Sequence, residues 1–333
     1  MGMNQETEFL QSEDWLRFQE ATGKAVIRLS ETGFSANGII HTLPLAGRYL
    51  YVPRGPIVGI RNQESGIRNG MRMLFEKAKE KKVSWIRIEP ETEGDLARIR
   101  EAFGGKVVKA PHDMQPRETF VVDIVPDTDT LLASMKPKAR YNIRLAEKYG
   151  VKAFATREEK HRQAFLDLIT ATADRKDIVP HPRSYYENFF SELPEDICRL
   201  FIAEYNGRVL AANIVIFFGG TATYLHGGTA DEHRDVMAPY LLQWEQMKFA
   251  KTAGCTRYDF GGVKMRTNQE SRIKNHEKNN WSGITRFKLG FSPGTEPIVF
   301  PGSYDMILDS RAYSVYTLFR HLKKITRRIN IFK

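Results

Sequence analysis

The chain has 333 residues, which suits two domains better than one, and with 41% apolar residues it can bury a core in each. Its formal charge of +10 favours an anionic partner such as nucleic acid, a nucleotide or an acidic membrane surface. The two cysteines, Cys198 and Cys255, imply no disulfide framework or cysteine metal site, and no run approaches the ~20 apolar residues of a membrane span. The acidic start, with Glu6, Glu8, Glu13 and Asp14, lacks the basic flank and apolar core of a signal peptide, so a cytoplasmic location is expected.

In chain order, residues 9–19 predict a helix with Ser12 as its N-cap and Trp15 and Phe18 on one face. Segments 24–30, 34–42 and 48–52 carry β-branched and aromatic residues between Gly and Pro breaks, and predict a meander that Arg54-Gly-Pro ends. A helix over 66–81, a strand over 84–89, a helix over 93–103 and a strand over 119–124 complete one α/β unit. The second half has helices over 128–149, 158–174 and 183–192, then strands over 198–205, 209–218 and 221–225. That order suggests a duplication, although no sequence repeat is visible. Near the end, 311–328 predicts a helix with Val315, Leu318, Phe319, Leu322 and Ile325 on one stripe that must dock.

The most informative stretch begins at Tyr224. A strand is expected to break at Gly227 and Gly228, and a helix to start at Pro239, where a missing N–H is tolerated. That helix presents Tyr240, Leu241, Trp244 and Met247 to a sheet and stops at Gly254, before a short strand over 257–262. A loop opening onto a helix N-terminus is where an α/β protein holds an anion or acyl donor. N-acetyltransferases of the GNAT type use such a loop, but here Met237 and Pro239 stand where glycines would close on a pyrophosphate, so coenzyme A is a poorer donor than another activated acyl group.

Lys136, Arg140, Arg144 and Lys148 recur every fourth residue and form one basic stripe on a predicted helix, either a solvated face or a seat for an anionic partner. Arg234, just before a helix N-terminus, adds to its positive end. Tyr240 and Tyr258 are either core tyrosines or walls of the site, and Asp259 is either structural or a general base. Lys288, set between Phe287 and Gly290 in an expected strand or strand end, is on spacing alone more often a snorkelling surface residue than a functional one. His226, His233 and His276 show no metal spacing, and no metal is expected.

Several motifs resemble the Fem (FemABX) family of aminoacyl-tRNA-dependent transferases that form peptidoglycan bridges. They are Met135-Lys-Pro-Lys-Ala-Arg-Tyr-Asn-Ile-Arg, Met237-Ala-Pro-Tyr-Leu-Leu-Gln-Trp-Glu, Tyr258-Asp-Phe-Gly-Gly and Ile284-Thr-Arg-Phe-Lys-Leu-Gly-Phe, with weaker echoes at Gln11-Ser-Glu-Asp-Trp, Tyr51-Val-Pro-Arg-Gly-Pro and Gln115-Pro-Arg-Glu-Thr. The resemblance implies an α/β (α+β) fold of two GNAT-like acyltransferase domains with mixed central sheets flanked by helices. These would span 1–125, with a C-terminal helix (308–333) returning to it, and 126–307, which carries the acyl-transfer site.

The resemblance also implies no cofactor and a reaction that moves an amino acid from aminoacyl-tRNA to an amine on the stem peptide of a peptidoglycan precursor. Lys288 and Phe287 inherit the acyl-transfer site; Arg234, Tyr240, Tyr258, Asp259 and Arg17 face the substrate. Lys136, Arg140, Arg144 and Lys148 are placed against phosphates of the tRNA or the UDP moiety. The long coiled-coil arm of larger members is missing, which tilts the acceptor towards the soluble UDP-linked precursor rather than the lipid-linked one, and a peripheral membrane contact stays open. The competing readings are a coenzyme A-dependent GNAT N-acetyltransferase and a non-catalytic RNA-binding protein on the same fold.

Overall fold

The computed structural model describes residues 8–59, 64–176, 178–265 and 280–330. It divides into two compact units, Met1–Arg117 with Phe300–Lys333, and Glu118–Val299.

In the first unit, helix Glu13–Ala21 starts where the Ser12 side chain accepts from Trp15 N, and it buries Trp15, Leu16 and Phe18. Helix Glu93–Phe103 opens on a Thr92 cap and stops at Gly104, whose φ of 62° is the left-handed ending that glycine adopts without strain. The six-stranded sheet runs Ala25–Ile27, Gly38–Leu43, Gly47–Val52, Val83–Ile88, Tyr304–Ile307, Val107–Lys109. The expected meander is shorter than its sequence pattern, because Ser30–Glu31 and Phe34–Ser35 leave it to pair in a separate small sheet with Ile57–Val58. Gly47–Val52 and Val83–Ile88 are parallel and are joined through helix Glu64–Glu80.

The segment after Phe300 completes this unit. Strand Tyr304–Ile307 lies between Val83–Ile88 and Val107–Lys109, antiparallel to both. Helix Ser310–Asn330 then brings the Tyr313 and Tyr316 rings to 5.6 and 4.8 Å from Trp85. Asp305 and Arg87 pair at 2.8 Å with both side chains almost fully buried. Tyr313 Oη donates to Asp305 Oδ2 at 2.9 Å, and Arg87 donates to Tyr316 Oη at 3.0 Å. The docked face of this helix is therefore mainly tyrosine rather than the aliphatic stripe expected: of that stripe Val315 packs beside the tyrosines, whereas Leu318, Phe319 and Leu322 are exposed, and the Ile325 side chain lies outside those described.

The second unit has a seven-stranded sheet in the order Lys152–Thr156, Cys198–Tyr205, Arg208–Phe218, Thr221–Thr229, Arg257–Gly262, Glu118–Asp123, Ile298–Val299. Every neighbouring pair is antiparallel except Thr221–Thr229 with Arg257–Gly262. Helices Pro137–Lys148 and Ala238–Thr252 bury Ala139, Ile143, Leu241, Leu242 and Met247 against Phe120, Phe201, Tyr258 and Phe260. The helix expected over 128–149 is two, Thr128–Ser134 and Pro137–Lys148. Lys136 sits between them at ψ 143°, since a residue before proline is pushed out of the helical region.

Candidate acyl-transfer site

The site begins with a split in the second unit's sheet. Thr221–Thr229 and Arg257–Gly262 pair in parallel at Thr221, Ala222 and Thr223 against Arg257, Tyr258 and Asp259, and the recorded pairing stops there. Both strands are irregular just beyond. Leu225 is an extra residue between the partners of Ile214 and Val215, and Phe260 and Gly261 together face the single residue Phe120. Bulges of this kind bend strands and re-aim side chains beside functional sites. Gly261 takes φ 72°, a left-handed conformation that glycine adopts without the strain a side chain would bring.

The two glycines expected to end the strand remain inside it. A Cβ at Gly227 would collide with Asn213 Oδ1 and Tyr224 Oη, and one at Gly228 would come within 2.6–2.8 Å of the Leu168–Ile169 backbone. Glycine is used there for close approach: it makes room for the Tyr224 ring and lets helix Glu159–Lys176 lie on the strand.

Lys288 enters beside the split. It ends helix Asn280–Lys288 rather than a strand, because Ile284, Phe287 and Phe291 recur at helical spacing and Gly290 follows the last turn. The lysine is 6% exposed, and Nζ donates to Gly262 O at 2.7 Å and lies 5.7 Å from the Tyr224 ring centroid. Burial pushes its pKa down from 10.5 to about 8, the Asp259 carboxylate offsets part of that, and Lys176 adds to it. At neutral pH the ammonium is therefore mostly charged, nearly dry and close to its deprotonation point. Behind it, Phe287 packs edge-on to Tyr240 at 4.8 Å and to Phe291 at 5.4 Å, so one aromatic wall holds the lysine's turn.

The other residues singled out in the sequence have varied surroundings. Asp259 accepts from Gly261 N at 2.7 Å, which ties the carboxylate to the bulge. Tyr258 is in the core: it is fully buried, and its hydroxyl lies 2.8 and 2.6 Å from the side-chain oxygens of Gln243 and Gln246. Arg234 is in a short 3-10 turn, Arg234–Val236, exposed and paired with Asp231, so a carboxylate offsets the charge it would add to the helix N-terminus. Arg17 is exposed in the first unit and pairs with Asp14 at 2.6 Å. In the basic stripe Lys136, Arg144 and Lys148 are exposed, whereas Arg140 turns inward and donates to Ala133 O at 2.9 Å and to Met135 O, closing the end of helix Thr128–Ser134.

Sequence reasoning missed an aromatic nest beside Tyr224. His226, two residues on, has ring contacts with His181, Tyr185, Tyr186 and Phe189 at 5.2–6.0 Å. Burial lowers the His226 pKa to about 3, and its Nε2 finds no hydrogen-bond partner among the described residues. The run His181-Pro-Arg-Ser-Tyr-Tyr186 is dense in rings, and that density was the available signal. Among the described residues there is no group of three side chains suited to a metal ion, and no helix is long and apolar enough to cross a membrane. His276 lies outside the described residues.

A fixed, nearly dry cation is able to meet charge developing on a carbonyl oxygen, and here it stands beside a split mixed sheet flanked by helices. The FemAB family profile matches residues 94–208 and 198–321, well over half of the chain, and the chain belongs to that family. It is similar to the lipid II:glycine glycyltransferase of Staphylococcus epidermidis, with 25% identity over 334 residues covering 79% of this chain and 77% of that protein. The UDP-N-acetylmuramoylpentapeptide-lysine N(6)-alanyltransferase of Weissella viridescens is 26% identical over 203 residues, covering 60% and 56%. The crystal structure of FemX has the same fold, with a TM-score of 0.77 at 21% identity over 92% of this chain and 94% of that one.

Proposed function

We propose that this protein transfers an amino acid from the ester of an aminoacyl-tRNA to an amine on the stem peptide of a peptidoglycan precursor, acting in the cytoplasm. The observation that carries the reading is Lys288, buried, donating to Gly262 O and close to its deprotonation point. A neutral amine attacks the ester carbonyl, the oxyanion forms against the Lys288 ammonium, and the tRNA hydroxyl leaves while the new amide's nitrogen gives up a proton. The ester is already activated, so holding the two reactants in a near-attack pose contributes about 7–11 kcal/mol of the barrier without a covalent intermediate. Phe287 and Tyr240 wall the site, Asp259 sustains the charge of Lys288, and the exposed Lys136, Arg144 and Lys148 meet tRNA phosphates.

The backbone at the second helix opening argues against coenzyme A. Met237 N and Tyr240 N already donate to Arg234 O and Met237 O, and Pro239 has no N–H, so few donors are left for a pyrophosphate. Both kinds of acceptor are represented by name among the relatives, lipid-linked in Staphylococcus and UDP-linked in Weissella. The deciding experiment supplies labelled aminoacyl-tRNA with UDP-linked pentapeptide and, separately, with lipid-linked precursor. Label appearing on either peptide supports the reading, and label on neither, with acetyl transfer from acetyl-coenzyme A, replaces it.

A further inference from the structure

At the far edge of the second unit's sheet, four strands from Arg257–Gly262, is a cavity of about 360 Å³ that the transfer chemistry does not use. With neighbouring strands ~4.8 Å apart, the two places are separated by roughly 19 Å across the sheet. Strands Lys152–Thr156 and Cys198–Tyr205 supply the floor through Thr156, Cys198 and Leu200, and Phe190 and Leu193 form an apolar wall.

Three guanidiniums line this cavity, those of Arg157, Arg162 and Arg199. Glu195 holds Arg157 at 3.2 Å and Arg199 at 3.1 Å, and Glu159 pairs with Arg162. Three cations against two carboxylates leave one positive charge. Arg162 is the one of the three that Glu195 does not hold, and its side chain is 36% exposed where it lines the cavity, so it is the guanidinium a guest can reach.

We propose that the cavity binds a small carboxylate with an apolar body, its oxygens on Arg162 and its body against Phe190, Leu193 and Leu200. A monoanion cancels the residual charge, whereas a dianion overshoots it and faces Glu195. The volume lies at the lower end of the about 300–1,000 Å³ typical of small-molecule sites, in keeping with a compact ligand.

Benzoate is the probe and benzamide its neutral counterpart, titrated into the full chain while the methyl signals of Leu193 and Leu200 are followed by NMR. Benzoate is expected to shift both signals and benzamide neither. Arg162→Gln is expected to weaken benzoate at least tenfold, and Lys288→Met to change it less than twofold. An equal response to benzamide, unchanged affinity in Arg162→Gln, or loss of binding in Lys288→Met overturns the proposal. Should Arg162→Gln not fold, Arg199→Gln serves instead, and the comparison of the two probes on the unmodified protein stands without either variant.

Discussion

Replacing Lys288 by methionine keeps an unbranched side chain close to the length of lysine's aliphatic stem and removes the ammonium, which separates catalysis from packing. The fall in pKa from 10.5 to about 8 corresponds to about 3 kcal/mol of destabilisation of the folded state, at ~1.36 kcal/mol per pH unit. An unfolded lysine keeps its proton up to 10.5 and the folded one loses it near 8, so this penalty is complete below pH 8 and gone above 10.5. Methionine removes the penalty but leaves Gly262 O without the donor it has at 2.7 Å, a loss of about 1–3 kcal/mol. The expected variant is at least as stable as the parent at pH 7, by up to about 2 kcal/mol. It also lacks the parent's gain in stability between pH 8 and 10.5. Its transfer rate is expected to fall ~10²–10³, as when one oxyanion stabiliser is lost. Urea unfolding from pH 7 to 10.5 and single-turnover transfer from labelled aminoacyl-tRNA measure the two effects. A variant destabilised by more than about 3 kcal/mol at pH 7, or one that turns over at the parent's rate, refutes the assignment.

Asp305→Ala leaves the Arg87 charge buried without its partner and is expected to lower stability by about 3–5 kcal/mol, read by calorimetry; a loss below 1 kcal/mol would show that the pair is not buried as described. His41, His112 and His226 are held neutral by burial at about 4, 4 and 3, so the unfolded chain takes up protons first as pH falls below 6.5. The melting temperature is therefore expected to drop steadily from pH 6.5 towards 4, and a flat profile there contradicts the burial of these rings. Changing Lys136, Arg144 and Lys148 to Gln is expected to reduce the slope of log affinity for tRNA against log salt by about 2–3, while Arg140→Gln leaves the slope and lowers stability. An equal change in slope from Arg140→Gln would return that residue to the binding face.

The helix and strand order was legible because apolar periodicity and caps such as Ser12 and Thr92 are local signals. The motif singles out Lys288 in the sequence but not its helix: the flanking aromatics suggest a strand, although Ile284, Phe287 and Phe291 have helical spacing. Gly227 and Gly228 read as breakers in the sequence because the Asn213 and Leu168 atoms they avoid are remote along the chain. Arg140 looked equivalent to its neighbours in the stripe until Pro137 split the helix and left carbonyls for it to cap. The nest around His226 and the glutamines holding Tyr258 depend on which faces meet across the unit, and no local pattern carries that.

The return of the chain at Phe300 has a consequence for how the polypeptide is made. Arg87 and Asp305 are 218 residues apart, so the first sheet lacks an interior strand until synthesis has passed Ile307. A chain stopped at 299 leaves Val83–Ile88 and Val107–Lys109 with unpaired edges, the kind of surface that recruits other strands. The second unit is one unbroken stretch whose way in and way out adjoin: Phe300 N donates to Arg117 O at 2.8 Å, and Glu118 pairs with Val299. It is inserted like a guest domain at a single point, and a turn of a few residues joining 117 to 300 would let the host close on itself.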